Sequence, residues 1–269
     1  MILVQLTDLH VRPLGLAAIR NSETNMLTER ALRAVRALVI KPDALVISGD
    51  LTNNGLASEY AVLADMLERI IKIPVYVIPG NHDNREILRA SLSHLPGVTS
   101  DPHFVQYAVD DMDVRLVMLD TLIPGSAAGE LCEKRLAWLD ATLAAEPHKP
   151  TMVVMHHPPF ACGIGHMDQI ALQNPEAFIR VIANHPQVKR IICGHHHRPI
   201  NAQVAHTICS IAPSVAHQVE FVLGDEPGMW NLEPAAFQVF TTMAHDGIVA
   251  HTVYVENYPG PFPFVADPA

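Results

Sequence analysis

Aspartate, asparagine and histidine recur in short clusters: Asp8-Leu9-His10, Gly49-Asp50, Gly80-Asn81-His82-Asp83, His156-His157-Pro158 and Gly194-His195-His196-His197. Carboxylate together with imidazole suits borderline divalent ions such as Zn, Fe, Mn or Co, whereas an all-oxygen set would suit Mg or Ca. Asp8 and His10 are two residues apart, as are His195 and His197. On a continuing strand each pair would face one way and grip one ion. Asp8, His10, Asp50, Asn81, His156, His195 and His197 make seven candidate ligands. Seven is too many for one four-coordinate ion but suits two ions that share a carboxylate. Two metals roughly 3.5–4 Å apart clamp an in-line displacement at phosphorus and lower the pKa of a shared water.

The clusters need a scaffold that delivers them to one place. Short runs rich in Val and Ile, at residues 2–6, 44–48, 75–78, 152–155 and 190–193, each run into one cluster, and a further run lies at 115–119. Such runs read as strands buried on both faces. Between them Leu27, Ala31, Ala34, Val35 and Leu38 recur at helical spacing, as do Leu63, Met66, Leu67 and Ile70. A third helix is expected over 133–145, and a fourth starts with Asn174 as N-cap and Pro175 at the first helical position. This alternation predicts an α/β architecture, and open α/β sheets bind ligands at the carboxyl ends of their strands. Beyond Cys209 the pattern turns to β, with runs at 204–211, 215–222, 236–243 and 248–255. A Pro-rich tail holding Pro259, Pro261, Pro263 and Pro268 closes the chain. The expected organisation is one catalytic domain over 1–255 and a tail over 256–269.

Composition narrows the function classes. The 269 residues carry 18 Lys+Arg against 28 Asp+Glu, a net charge of −10, with no basic cluster to hold a nucleic-acid polymer. No apolar run approaches the roughly 20 residues that cross a bilayer. The first residues lack a basic region and reach Asp8 too soon for a signal peptide, so a cytoplasmic protein is expected. Cys132, Cys162, Cys193 and Cys209 form no C-x-x-C pair and read as buried thiols. Sixteen histidines are about three times ordinary usage, so position decides which of them matter.

Taken in combination, Asp8-x-His10, Gly49-Asp50, Gly80-Asn81-His82-Asp83, His156 and Gly194-His195-x-His197 resemble the signature of the calcineurin-like metallophosphoesterases. Within them the chain is most similar to the bacterial class III cyclic-nucleotide phosphodiesterases and the related glycerophosphodiesterase. The resemblance implies a four-layer α/β/β/α sandwich with a small C-terminal β-rich appendage. It implies that Asp8, His10, Asp50 and His197 hold one metal and Asp50, Asn81, His156 and His195 the second, Asp50 bridging two divalent ions (Fe, Mn, Zn or Co). His82 would face the phosphate and serve the leaving oxygen, with Asp83 orienting it. Asn53 and His217 would contact substrate. The implied partner is a small phosphodiester, a cyclic nucleotide such as 3',5'-cAMP or a glycerophosphodiester, in a homodimer or higher homo-oligomer.

Gly49-Asp50 is followed by Leu51-Thr52-Asn53-Asn54, without the Arg that relatives use to clamp a dianionic monoester. Asn53 offers a hydrogen bond but no charge, which favours diesters over monoesters. A phosphomonoesterase and a non-catalytic metal-binding scaffold stand as alternatives. Singly, each residue has an ordinary explanation: an Asp at a strand end is usually a cap or turn residue, and Gly-Asn suits a turn. His196 should point away from its neighbours, and His157 is assigned no ligand role. The remaining histidines, His245 among them, are read as surface or core residues, and Trp138 and Trp230 as packing.

Overall fold

The computed structural model describes residues 1–18, 21–242 and 247–264. Met243, the predicted end of a strand, His245, and Pro268 of the predicted tail lie outside the described residues. The amino-terminal half alternates as expected: β1 (Ile2–Leu6), α1 (Thr24–Arg36), β2 (Ala44–Ser48), α2 (Ala57–Ile70) and β3 (Val75–Ile78). A short α3 (Arg85–Ser91), β4 (Tyr107–Val109) and β5 (Arg115–Met118) lead to α4 (Glu133–Ala145), β6 (Thr151–Val154) and α5 (Gly165–Asp168). Then come α6 (Pro175–Ala183), β7 (Val188–Cys193), β8 (Ile200–Val204) and β9 (Thr207–Ile211). Four further strands follow: β10 (Gln218–Val219), β11 (Trp230–Asn231), β12 (Ala236–Thr242) and β13 (Ile248–Tyr254).

These strands form two main sheets, ordered β13-β12-β1-β2-β3 and β4-β5-β6-β7-β9-β8, and a separate β10-β11 pair. The pair supplies the small β-rich piece expected toward the carboxyl end. Side-chain parity along the strands explains the layering. Leu116, Met118, Met152, Val154 and Ile192 share one core with the first sheet and with Leu32, Leu63 and Leu67 of α1 and α2. Their alternating neighbours Val117, Val153, Ile191 and Cys193 point the other way, onto Leu139 and Leu143 of α4 and Phe178 and Ile182 of α6. Two sheets therefore pack face to face with helices outside each, the four-layer sandwich.

Departures from expectation are local. The run 204–211 is two strands, because Ala205 adopts φ 51° and turns the chain between β8 and β9. The run 215–222 keeps only the two residues of β10. Asn174 does precede α6, yet its side chain caps nothing there; it bonds the N–H and carbonyl of Leu131 instead. Cys193 and Cys209 are buried free thiols as expected, whereas Cys132 and Cys162 are partly exposed.

Candidate metal centre

The parallel strands β1, β2, β3, β6 and β7 end at one rim, and each hands the chain to a ligand-bearing loop. Asp8 and His10 do not sit on a continuing strand, as their spacing suggested: β1 stops at Leu6. Instead Asp8 (φ 54°), His10 (47°), Asp50 (48°), His195 (72°) and His197 (50°) all adopt left-handed backbone. Each reversal breaks the alternation of side-chain faces and turns a polar side chain into the cleft. Sparse conformations of this kind persist where surrounding bonds over-determine them. Here the Asp8 and His10 N–H groups donate to the carbonyls of Gly49 and Asp50 at 3.1 and 3.0 Å, and Gly194 N–H donates to His156 O at 3.1 Å.

The side chains converge. Ligand atoms of Asp8, His10, Asp50 and His197 lie within 4.8 Å of one another, all buried. His10 Nε2 is 3.1 Å from His197 Nε2 and 3.7 Å from Asp50 Oδ2, and His197 Nε2 is 3.2 Å from Asp8 Oδ1. On the other side of Asp50, His156 Nε2 lies 3.5 Å from Asp50 Oδ1 and 3.1 Å from Asn81 Oδ1. The His195 ring stands 5.1 Å from that of His156. The rings are aimed by carbonyls: Nδ1 of His156 meets Ser48 O at 2.9 Å, Nδ1 of His197 meets His217 O at 2.8 Å, and Nε2 of His195 meets Ile170 O at 3.0 Å. Each carbonyl takes one ring N–H, which aims the opposite nitrogen into the cleft, where it is a lone-pair donor in the neutral ring.

Electrostatics indicate what this set accepts. Asp8 and Asp50 are 0% and 2% exposed, and among the described residues neither has a Lys or Arg partner. Burial would raise both carboxyls, but His197 beside Asp8 and His156 beside Asp50 hold them below the usual range. Burial pushes His10 and His195 well below the ordinary imidazole value, so both are neutral donors at neutral pH. Burial opposes charge on His156 too, yet Asp50 raises it to about 9, and Asp8 likewise raises His197. Without other cations, protons on these two rings balance the buried carboxylates. A divalent cation supplies the same charge with better geometry for N and O donors, so these residues fit a metal.

Other expected residues fall differently. The exposed His82 ring meets the carbonyl of Asn53 through Nδ1 at 2.8 Å and stands edge-on to His10 at 4.7 Å. Asn53 thus engages His82 through its backbone carbonyl. Asp83 does not orient His82, contrary to expectation. Its buried carboxylate accepts from Leu51, Thr52, Gly80 and Tyr60, and burial followed by the Asp50 charge raises it to about 6. His217 is 5% exposed, packed between His197 and Trp230 with its ring 5.2 Å from His10, and burial lowers it to about 3. His157 clusters with His156 and His195, but its two nitrogens are engaged by Thr121 Oγ1 and Ala127 O. His196 is buried away from the ligands' bonds, and burial lowers it to about 4. The Ile170 carbonyl and Tyr60 were not legible beforehand: a carbonyl has no residue signature, and Tyr60 sits at a core-facing position of α2.

Comparison with known proteins agrees with this geometry. The profile of the calcineurin-like phosphoesterase family matches residues 1–199. A probable glycerophosphodiester phosphodiesterase of Arcobacter nitrofigilis is 32% identical over 98% of this chain and 97% of its own length. A probable cyclic nucleotide phosphodiesterase of Rhodopseudomonas palustris is 37% identical over 77% of this chain and 76% of its own. A dimetal phosphatase from Danio rerio superposes with a TM-score of 0.70 at 17% identity, covering 95% of this chain and 96% of that one, a likeness of fold.

Proposed function

The chain belongs to the calcineurin-like phosphoesterase family, and from that premise we propose a metal-dependent phosphodiesterase that hydrolyses small phosphodiesters. The observation that carries this reading is the buried convergence of Asp8, His10, Asp50 and His197, continued through Asp50 to His156 and Asn81, with no Lys or Arg among the described partners of the two aspartates. In the proposal Asp8, His10, Asp50 and His197 hold one ion, and Asp50, Asn81, His156 and His195 a second. Fe, Mn, Zn and Co all suit these mixed N/O sets. When bound, the pair supplies an activated water and charge neutralisation at phosphorus.

The protein's own groups do the rest. His82, held with Nδ1–H donating to Asn53 O and its ring edge-on to His10, would in its imidazolium form hand the Nε2 proton to the departing alkoxide and be left as the neutral ring. His217 and Asn53 border the space a substrate arm would enter. No Arg follows Gly49-Asp50, so the loop has no second cation for a dianion, which supports diesters. Relatives named for glycerophosphodiesters cover 97–98% of the chain at 31–32% identity, and those named for cyclic nucleotides cover 73–90% of it, so glycerophosphodiesters are the first class to assay and cyclic nucleotides the second. The domain limits 1–255 and 256–269, the cytoplasmic location and the homo-oligomer belong to the same proposal; a monomer mass in light scattering would remove the last. No helix among the described residues is long and apolar enough to cross a membrane.

The test is hydrolysis of bis(p-nitrophenyl) phosphate, a glycerophosphodiester, 3',5'-cAMP and p-nitrophenyl phosphate by purified protein with Mn, Co or Zn. Diester hydrolysis exceeding monoester hydrolysis is the expected result. A faster monoester rate makes the protein a phosphomonoesterase, and no hydrolysis with any metal makes it a binding scaffold.

A further inference from the structure

One buried carboxylate sits between the loop that carries Asp50 and the loop that carries Asn81. Asp83 Oδ2 accepts from Leu51 N at 3.0 Å and Gly80 N at 2.9 Å. Its Oδ1 accepts from Thr52 N at 3.2 Å, Thr52 Oγ1 at 3.0 Å and Tyr60 Oη at 2.8 Å. Leu51 and Thr52 directly follow Asp50, and Gly80 directly precedes Asn81. The Tyr60 hydroxyl also accepts from Asn84 N at 3.0 Å, and the whole side chain, on α2, is buried. The aspartate therefore bolts two ligand loops together, and the tyrosine fastens the bolt to a helix on the far side of the sheet.

We propose that Tyr60 and Asp83 are positioning residues that set the distance between Asp50 and Asn81, and so tune the half of the metal centre that needs both. This rests on the ligand assignment made above. The half built from Asp8, His10, Asp50 and His197 does not use Asn81, and Asp8 and His10 move with the Asp50 loop because their own backbone bonds tie them to Gly49 and Asp50, so it depends less on the spacing the bolt sets. The two half-sites should respond unequally when the bolt is loosened. An asparagine at 83 has one acceptor oxygen for five donors and turns an NH₂ group toward the rest. A phenylalanine at 60 deletes one hydroxyl from a helix that is otherwise unchanged.

The experiment is calorimetric titration of Mn(II) into metal-free wild type, Tyr60→Phe, Asp83→Asn and Asn81→Ala, with circular dichroism and thermal melts alongside. Asn81→Ala identifies the binding event that depends on the second half-site. Outer hydrogen-bond partners of metal ligands typically set affinity by roughly ten- to a hundredfold. Asp83→Asn should weaken that same event by this amount and Tyr60→Phe by about tenfold, while the other event stays within about threefold. Tyr60→Phe keeps the test decisive if Asp83→Asn does not fold. Both events unchanged in Tyr60→Phe, or both weakened alike, overturns the positioning role alone. Wild-type protein that takes up no Mn(II) overturns the ligand assignment itself.

Discussion

Gly80→Ala isolates the close packing of the centre from its chemistry, because it removes no ligand and no charge. A Cβ at residue 80 would stand 2.2 Å from Asp50 Oδ1, 2.3 Å from Asp50 N and 2.8 Å from Asp50 Cγ. Reaching van der Waals separation requires an opening of about 1 Å or more. The backbone nitrogen cannot swing aside as a side-chain tip can, and Asp50 is already held at φ 48° with its carbonyl bonded to His10 N. The displacement therefore falls on the aspartate that both half-sites share. Overpacking of this kind costs about 1–3 kcal/mol, which a folded domain with about 5–15 kcal/mol in reserve survives. A misplacement of about 1 Å in reacting groups costs on the order of 10²-fold in rate. The variant should fold, melt several degrees lower, and turn over bis(p-nitrophenyl) phosphate about a hundredfold more slowly at saturating Mn. Gly125→Ala is the control: φ there is +77° and nothing lies within 4 Å of the added carbon. It should lose about 1 kcal/mol to backbone strain and keep its rate. A Gly80→Ala rate within threefold of wild type, or an equal loss in Gly125→Ala, would refute the steric argument.

Removing divalent ions should abolish diester hydrolysis and lower the melting temperature, since the charge opposing Asp8 and Asp50 goes with them; at a hundredfold excess over Kd each ion contributes about 2.7 kcal/mol. Scanning calorimetry before and after chelation, and after Mn is restored, reads this, and an unchanged melt with unchanged rate counts against it. Asp50→Ala should reduce both bound metal and turnover to background, because the residue faces His10 at 3.7 Å and His156 at 3.5 Å; wild-type turnover in a metal-replete variant sinks the scheme. His82→Gln should lower kcat by about 10²–10⁴-fold while elemental analysis finds the metal content intact. Among the thiols, burial pushes Cys162 up to about 11, whereas at Cys132 the Arg135 contacts outweigh burial and pull the thiol down. The thiolate is the reactive form, so at pH 8 about one Cys162 in a thousand is reactive and Cys132 should be alkylated first. Peptide mapping after brief iodoacetamide treatment would show the reverse order if this is wrong.

The strands that feed the centre were legible because a strand buried on both faces is a continuous apolar run, and 44–48 and 75–78 are such runs, ended by Gly49 and by Pro79-Gly80. The helix over 133–145 was legible for the same kind of reason, its Leu136, Leu139 and Leu143 recurring on one face. What sequence spacing misrepresents is the route between strand and ligand. Asp8 and His10 are two apart, which on a strand would put them on one face, but the chain leaves the strand first. Adjacency misleads at Asp83 in a similar way. A residue next to His82 invites pairing with it, yet the chain turns here, with Asp83 N donating to Gly80 O at 3.3 Å, and the carboxylate bonds amides 31 and 32 positions away. Tyr60 carries no polar signal at all, since an aromatic at core spacing on a helix is indistinguishable from packing until its hydroxyl finds a partner.

The left-handed residues carry a conformational cost that the rest of the fold must offset. A non-glycine residue in that region costs roughly 1–2 kcal/mol, less for Asp and His than for branched side chains. Five of them at one site amount to several kcal/mol, a sizeable part of a domain's net stability. The offset comes from the backbone. The first and second loops go on exchanging bonds past their strand ends, from Asp8 N to Gly49 O through His10 N to Asp50 O and Val11 N to Leu51 O, and the parallel pairing resumes at Val11 and Thr52. The ladder thus runs on beneath the ligands while the left-handed turns aim the side chains away from it. The ladder bonds join main-chain atoms, whereas the groups offered to a metal are side chains; the two meet only where the Asp8 and Asp50 carboxylates accept from the His195 and His82 amides, and each of those oxygens keeps a further lone pair.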